Sequence, residues 1–144
     1  MSVFVTLVEK GIPFQTRRIN LEMEENLKPD YKKISLTQLI PTLTHGDFHL
    51  SESSAISEYL EETYPAPDYP AVYPQDMHLK AKARQIQAWI RSDFMSIREE
   101  RSTEVVFCRP SDTRLSEAAK IETVKLFAAA DILLKDRAAN LFNE

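Results

Sequence analysis

The sequence predicts a chain in two lobes, an α+β lobe followed by an all-helical lobe. Up to about residue 64, short apolar stretches alternate with turn signals. Four prolines, at positions 65, 67, 70 and 74, then interrupt the chain. Proline lacks a backbone donor and disfavours helix in the residue before it, so this segment predicts a linker. Beyond it, apolar residues recur at three- and four-residue spacing without strand signals, which is typical of amphipathic helices.

Local patterns predict the elements at the start of the first lobe. Residues 3–10 are mostly apolar and stop at Gly11-Ile12-Pro13, which is a helix-stop signature. Phe14 to Leu21 alternates loosely between apolar and polar side chains and predicts a strand. Residues 22–33 are charged, and they predict a short helix or a loop that ends near Tyr31.

The central stretch, residues 40–60, reads IPTLTHGDFHLSESSAISEYL. Gly46-Asp47 separates two short alternating pieces, and glycine tolerates the positive φ that tight hairpin turns need. A helical pattern runs from Ser54 to about residue 64, and the hydroxyls of Ser53 and Ser54 are expected to accept from its first-turn amides. This is either an ordinary capped helix or a site where the helix start binds a carboxylate and Glu52 binds an amine.

The second lobe shows two apolar stripes. The first runs from Leu79 to Ile97, predicts one helix of about five turns and has Asp76 as its cap. A break and a second cap follow at Ser111 to Ser116. The second stripe is predicted to end near Arg137 and consists of Ile121, Val124, Phe127, Ala128 and Leu134. We expect the two stripes to be buried against each other and against the helix at residues 54–62.

Composition excludes several classes of function. The 144 residues carry a net charge of −4, which argues against a nucleic-acid or anionic-membrane surface. No apolar run approaches the roughly 20 residues of a membrane helix, and the start lacks the basic region of a signal peptide. The single cysteine, Cys108, allows neither an internal disulfide nor disulfide exchange through a CxxC pair. A cytoplasmic protein is the simplest interpretation.

The segments IPTL and ESSAISEYL, with a hairpin between them, resemble the glutathione-binding half of the glutathione transferase family. The stretch ARQIQAWIRSDFMSIREER is similar to one bacterial, cytosolic subgroup. The resemblance implies a thioredoxin-like glutathione-binding domain at residues 1–64, a proline-rich linker at 65–74 and the all-helical C-terminal domain at 75–144. Both domains are expected to be incomplete.

The resemblance also implies the residues that bind glutathione. Ile40 precedes a proline that is cis in the family, and it would present its backbone amide and carbonyl to the cysteinyl part. Glu52 would hold the γ-glutamyl amine, and Ser53, with its amide, the γ-glutamyl carboxylate. Leu39 stands where a basic residue often meets the glycine carboxylate, so Gln38 is expected to donate one neutral hydrogen bond instead.

The chain departs from the family pattern at both ends. It begins part-way along the helix whose first turn carries the family's Tyr, Ser or Cys, so the catalytic residue stays unidentified. Ser2 is interpreted as a helix cap or a frayed terminus rather than as the group that activates a thiol. The strand at Phe14 to Leu21 would lack a sheet neighbour. The chain stops at residues 140–144, before a family core helix, so we expect a fragment, a pseudogene-like product or a misplaced start and stop rather than a complete member.

Two functions follow from the resemblance. The first is a glutathione transferase, a dimeric cytoplasmic detoxification enzyme that binds glutathione and lets its thiolate attack a small electrophile or reduce a peroxide, without a metal. The alternative is a non-catalytic remnant or interaction module of the same fold.

Other candidate residues favour plainer roles. His45 and His49 are interpreted as surface residues of the hairpin rather than as metal ligands, and Cys108 as a buried or idle thiol. Trp89 is expected in the core or an interface. Asp93 lies near the apolar stripe, and in some members of the family that the chain resembles an acid on this helix reaches glutathione across the dimer. The arginines of this region could face a substrate cleft, but pairing with neighbouring glutamates is favoured; they are Arg91, Arg98 and Arg101, beside Glu99, Glu100 and Glu104.

Overall fold

The structure is a computed structural model, and it describes residues 2–135. Its elements, in chain order, are α1 (Ser2–Glu9), a 3-10 turn (Glu25–Leu27), α2 (Pro29–Lys32), β1 (Thr42–His45), β2 (Phe48–Ser51), α3 (Ser53–Thr63), α4 (Met77–Ser92), α5 (Met95–Glu100), α6 (Thr103–Phe107) and α7 (Glu117–Lys135). The chain divides into two compact units, Met1–Tyr73 and Pro74–Glu144. The first contains the sheet and the second, over its described residues, only helices. The predicted fold class is therefore confirmed.

Helix α1 ends at the predicted glycine. Gly11 has a φ of 65°, a conformation that glycine adopts without steric cost. Its amide donates to the Val8 carbonyl at 2.9 Å, and the Ile12 amide donates to the Leu7 carbonyl at 3.0 Å. These two bonds form a Schellman motif, which satisfies carbonyls at the helix end. Ile12 then joins Leu7 in the buried core, so the cap also directs the chain inward.

The core of the first unit lies between α1 and α3. Ile56, on α3, is fully buried, and Leu60, one turn further on, is 2% exposed. Both pack in one cluster with Val3, Leu7 and Ile12. The spacing of four residues in each helix places these side chains on one face, as the helical pattern predicted.

The strand predicted at Phe14 to Leu21 is wrong. Residues 12–20 have no regular secondary structure, and residues 13–18 are exposed. A strand needs a partner for its amides and carbonyls. In the part of the chain that is described, the sheet consists of β1 and β2 alone, so no edge pairs with this segment.

The hairpin and the helix after it are confirmed. Strands β1 and β2 pair antiparallel, and the two-residue loop Gly46-Asp47 has a φ of 60° at its glycine, as a first loop position occupied by glycine requires. Helix α3 begins at Ser53. The expected serine cap is wrong, because the N-cap residue is Glu52, whose side chain makes no cap hydrogen bond.

Helix α4 of the second unit begins at the predicted cap. The Asp76 carboxylate accepts from the amides of His78 and Leu79, each at 2.9 Å. The single helix predicted to extend to Ile97 is wrong, since α4 ends before Phe94, which has a left-handed φ of 63°. The Asp93 side chain accepts from the Phe94 amide at 3.0 Å. This local bond replaces helical hydrogen bonding and starts a new helix, α5.

Helix α7 begins after the predicted cap, where the Ala119 amide donates to the Ser116 hydroxyl at 3.2 Å. The predicted burial of its stripe is wrong: Ile121, Val124, Phe127 and Leu134 are 58–69% exposed. The side that is buried or partly buried carries Ala119, Leu126, Ala130 and Leu133 instead. Because α7 is apolar on two sides, spacing alone could not fix which side faces inward. The predicted end near Arg137 and residues 140–144 lie outside the described residues.

Candidate functional site

The peptide bond between Ile40 and Pro41 is cis, as the resemblance implied. Ile40 lies two residues before β1 and is 51% exposed. Within residues 2–135, neither its backbone amide nor its carbonyl has a hydrogen-bond partner. Both groups are therefore open to a ligand that approaches as an extended peptide.

Glu52 joins β2 to α3 in an uncommon backbone conformation. Its φ of 73° and ψ of 117° lie outside the regions that non-glycine residues ordinarily adopt. Such conformations occur preferentially at binding sites, because surrounding structure must hold them in place. Ser53 follows as the first residue of an 11-residue helix, where free amides and the positive end of the helix dipole favour an anion.

The hairpin register brings these groups together. Thr42 pairs with Ser51, so the chain just before β1 and the chain just after β2 lie at the same end of the hairpin. Ile40 is two residues before Thr42, and Glu52 directly follows Ser51. Directly opposed residues of antiparallel strands have Cα atoms about 4.5–5.5 Å apart. Ile40, Glu52 and Ser53 therefore lie at the same end of the hairpin, although the first two are 12 positions apart in the sequence.

Gln38 lies beside this group with a left-handed φ of 55°. Its carbonyl accepts from the Asn26 side-chain amide at 2.9 Å, and its own amide donates to the Ser35 carbonyl at 3.4 Å. The Gln38 side chain is half-buried, and Leu39 next to it is exposed. Both ends of the candidate site therefore contain a non-glycine residue with positive φ, a feature that no residue pattern in the sequence indicates.

A cleft of about 1110 Å³ borders Ile40 in the first unit. Apolar side chains of α1, the segment 12–19 and β1 form most of its wall. Arg17 and Arg18 also line it, and no acidic residue does. Glu52, Ser53 and Gln38 are not among the lining residues. The glutathione-binding candidates therefore lie at the hairpin end beside the cleft, with Ile40 as the residue that belongs to both.

The two arginines that line the cleft were not predicted from the sequence as site residues. They fall in the segment that was predicted as a strand, where one of two successive side chains would face away from a site. An irregular segment has no such alternation, and both Arg17 and Arg18 reach the cleft. The only sequence feature that indicated them was the occurrence of two adjacent arginines. Their positive charges at the edge of the cleft favour an anionic group there.

Two family models match consecutive parts of the chain. Glutathione S-transferase, N-terminal domain, matches residues 1–68, and Glutathione S-transferase, C-terminal domain, matches residues 76–144. The chain belongs to the glutathione S-transferase family.

Individual relatives agree with this assignment. Glutathione S-transferase theta-3 of Mus musculus is 36% identical over 88 residues, which are 61% of this chain and 36% of the relative. Maleylpyruvate isomerase of Ralstonia sp is 35% identical over 100 residues, 69% of this chain and 46% of the relative. A crystal structure of a glutathione transferase homolog from Burkholderia gl BGR1, with bound glutathione, is 46% identical with a TM-score of 0.72; the match covers 94% of this chain and 60% of that one. The chain thus spans 36–46% of the length of these two curated relatives.

In this member of the glutathione S-transferase family, the hairpin histidines lie on the surface, as predicted. His45 Nδ1 is 2.7 Å from the Tyr59 hydroxyl, and His49 Nδ1 is 3.1 Å from the Thr44 hydroxyl on the paired strand. Across residues 2–135, no group of three His, Cys, Asp or Glu side chains could hold a metal ion. No helix in the same residues is long and apolar enough to cross a membrane.

Cys108 and the arginines of the second unit agree with expectation only in part. Cys108 is exposed, so the buried alternative is wrong and the idle one stays a prediction. Arg98 donates to the Arg91 carbonyl at 2.8 Å, and Arg101 donates to the Glu100 carbonyl at 2.8 Å. Both arginines therefore donate to backbone carbonyls, and Arg101 also interacts electrostatically with the Glu100 carboxylate, one of its expected partners.

Asp93 and Trp89 stabilise the second unit. The Trp89 indole donates to the Asp93 carboxylate at 2.9 Å and packs against the Phe94 ring, 4.8 Å between centroids. Hydrogen bonding from Lys125, followed by the Phe94 amide, lowers the pKa of Asp93. The carboxylate thus joins α4, α5 and α7, and Trp89 lies within the packing of this unit, as predicted.

Proposed function

We propose that this chain belongs to a glutathione transferase that binds glutathione at the hairpin end beside the cleft. The backbone of Ile40 pairs with the cysteinyl part, Glu52 holds the γ-glutamyl amine, and Ser53 holds the γ-glutamyl carboxylate. Gln38 donates to the glycine end. The chemistry is attack of the glutathione thiolate on a small electrophile, or reduction of a peroxide. The enzyme is a cytoplasmic homodimer that acts in detoxification and needs no metal.

One observation carries this proposal: an acid with a left-handed φ, Glu52, directly precedes a helix start and lies beside the open backbone of Ile40. The arrangement offers a negative charge, the amide end of a helix and a peptide edge within one short surface. Those are the complements of an amine, a carboxylate and a peptide, which glutathione carries in that order. Family membership and the glutathione-bound homolog support the same ligand.

A binding role without turnover is the second candidate. The hydroxyls next to Ile40, those of Tyr31 and Thr42, are both within hydrogen-bond distance of the Leu39 carbonyl. Neither is free to donate to a thiolate, and thiolate stabilisation is what the reaction requires. This favours a non-catalytic module that keeps the ligand site, and turnover is the property that separates the two functions.

Calorimetry with glutathione tests the proposal, using Glu52→Gln and Ser53→Ala. Each substitution removes one charge-assisted contact, so we expect about tenfold weaker binding or more. Glu62→Gln, on an exposed position of the same helix, is the matched control and should bind as the unchanged protein does. Absence of glutathione binding by the unchanged protein would overturn the proposal. A conjugation assay with a generic electrophile then distinguishes the two candidates, because binding without turnover identifies the module.

A further inference from the structure

We infer that a chain of four hydroxyl groups, three of them buried, formed by Tyr31, Thr42, Ser35 and Ser51, positions both ends of the glutathione site. This hydroxyl chain makes no contact with the ligand in the proposed function, on which the inference rests. It acts by fixing the peptide between Leu39 and Ile40 and the strand end that leads into Glu52.

The four hydroxyls follow one another at hydrogen-bond distance. Tyr31 and Thr42 are 3.0 Å apart, Thr42 and Ser35 are 3.0 Å apart, and Ser35 and Ser51 are 3.0 Å apart. Tyr31, Ser35 and Ser51 are 7%, 2% and 9% exposed, and Thr42 is half-buried. Buried hydroxyls without partners would cost folding free energy, so this network must form as a unit.

At one end, the hydroxyl chain holds the Leu39 carbonyl. Tyr31 donates to it at 3.0 Å, and the hydroxyls of Thr42 and Ser35 lie 3.3 and 3.4 Å away. The peptide between Leu39 and Ile40 is trans. In a trans peptide the C=O and N–H groups point in opposite directions. Fixing the Leu39 carbonyl toward Tyr31 therefore directs the Ile40 amide to the other side, where it has no partner among the described residues.

The same bonds also strengthen the Ile40 amide as a donor. A carbonyl that accepts hydrogen bonds draws electron density from its own peptide nitrogen, and hydrogen bonds in a chain polarise one another. The amide proposed to meet the cysteinyl part is thus both oriented and made more polar.

At its other end, the hydroxyl chain reaches the start of α3. Ser51 is the last residue of β2, and Glu52 follows it directly with its left-handed φ. Thr42 is also paired with Ser51 across the hairpin. One network therefore joins the peptide for the cysteinyl part to the residue for the γ-glutamyl amine. We conclude that it sets the spacing between these two ends of the ligand.

Thr42 provides the sharpest test, because Thr42→Val keeps the shape and removes the hydroxyl, whereas Thr42→Ser keeps the hydroxyl. We expect glutathione to bind five- to tenfold more weakly to Thr42→Val and to recover most of its affinity in Thr42→Ser. Tyr31→Phe should resemble Thr42→Val. The control is Thr44→Val on the same strand, whose hydroxyl contacts His49 and lies outside the network.

A second measurement reports on position rather than on stability. The Ile40 amide signal in a ¹H–¹⁵N spectrum of the ligand-free protein should shift in Thr42→Val and Tyr31→Phe, and stay in place in Thr44→Val. An unmoved signal, or equal glutathione affinity of Thr42→Val and the unchanged protein, would overturn the inference. If the unchanged protein binds no glutathione, the proposed function fails, and the shift of the Ile40 amide still decides whether the network orients this peptide.

Discussion

The ammonium group of Lys10 lies 2.7 Å from the Glu61 carboxylate, and the Lys10 side chain is fully buried. The same ammonium donates to the carbonyls of Tyr64 and Pro70 at 2.8 and 2.9 Å. A lysine ammonium has three protons, and here each has an acceptor. The group connects the end of α1 to α3 and to the proline-rich segment after it.

Lys10→Met should destabilise the protein strongly. It leaves the nearly buried Glu61 carboxylate without its cation, and loss of one member of a buried ion pair costs about 3–5 kcal/mol. Urea unfolding measures the loss. Lys33→Met is the matched control, since Lys33 pairs with Asp30 at the surface, where water screens the charges and an ion pair contributes little to stability. Equal effects of the two substitutions would contradict a stabilising role for the buried pair.

From the sequence, the end of α1 could be predicted, but the ion pair between Lys10 and Glu61 could not. A basic residue before a glycine was enough to predict the end of α1, because the cap depends on residues 7–12 alone. The partner of Lys10 is 51 positions away, and no local pattern indicates it. The strand predicted at Phe14 to Leu21 failed for the same reason, since a strand is defined by a partner elsewhere in the chain.

Ile56→Ala should create a cavity at the centre of the first unit. Ile56 is fully buried, and truncation of such a side chain costs about 2–5 kcal/mol. Ile121→Ala, at a side chain that is 69% exposed, should change the free energy of unfolding by about 0.5 kcal/mol or less. Both are measured by urea unfolding with a fitted m-value. A loss of comparable size at Ile121 would show that this face of α7 is covered in solution.

Asp76→Ala should weaken the start of α4. The Asp76 carboxylate accepts from two first-turn amides, and loss of such a cap costs about 1 kcal/mol. Thermal unfolding should show the decrease, together with a small loss of helical circular dichroism. Asp112→Ala, an acid in an exposed loop without helix amides to accept, should leave the midpoint unchanged. An unchanged midpoint for Asp76→Ala would mean that water replaces the cap.

Only those parts of the candidate site whose residue types suggest a binding role could be predicted from the sequence. Glu52 and Ser53 at the start of an amphipathic helix, and Ile40 before proline, could be named from the sequence together with the family resemblance. The left-handed backbone of Gln38 and Glu52 could not, because neither residue type requires it. The hydroxyl chain could not be predicted from the sequence either, because Tyr31 and Thr42 belong to different elements that meet only in the folded protein.

Acid should destabilise the second unit through Glu122. Its carboxylate accepts from the amides of Ile97 and Ser96 at 2.9 and 3.3 Å, and the bond from Ile97 is the main cause that lowers its pKa. A pKa that is lower in the folded state means that the unfolded chain takes up protons first as the pH falls. The stabilisation is therefore complete above the ordinary glutamate pKa of 4.5 and is lost as the pH falls through the folded value.

Thermal unfolding of the unchanged protein and of Glu122→Gln, from pH 6 down to pH 3.5, checks this dependence. Glutamine keeps an acceptor for the Ile97 amide but does not titrate, so the variant should start with a lower midpoint at pH 6 and lose less of it on acidification. Two further carboxylates of the unit, Asp93 and Glu100, also have lowered pKa values, owing chiefly to Lys125 and Ser116. They contribute to the pH dependence of both proteins, so only the difference between the two curves reports on Glu122. The control is Glu99→Gln, at an exposed position on α5, whose unfolding midpoint should match that of the unchanged protein at every pH. Parallel curves for Glu122→Gln and the unchanged protein would refute the role assigned to Glu122.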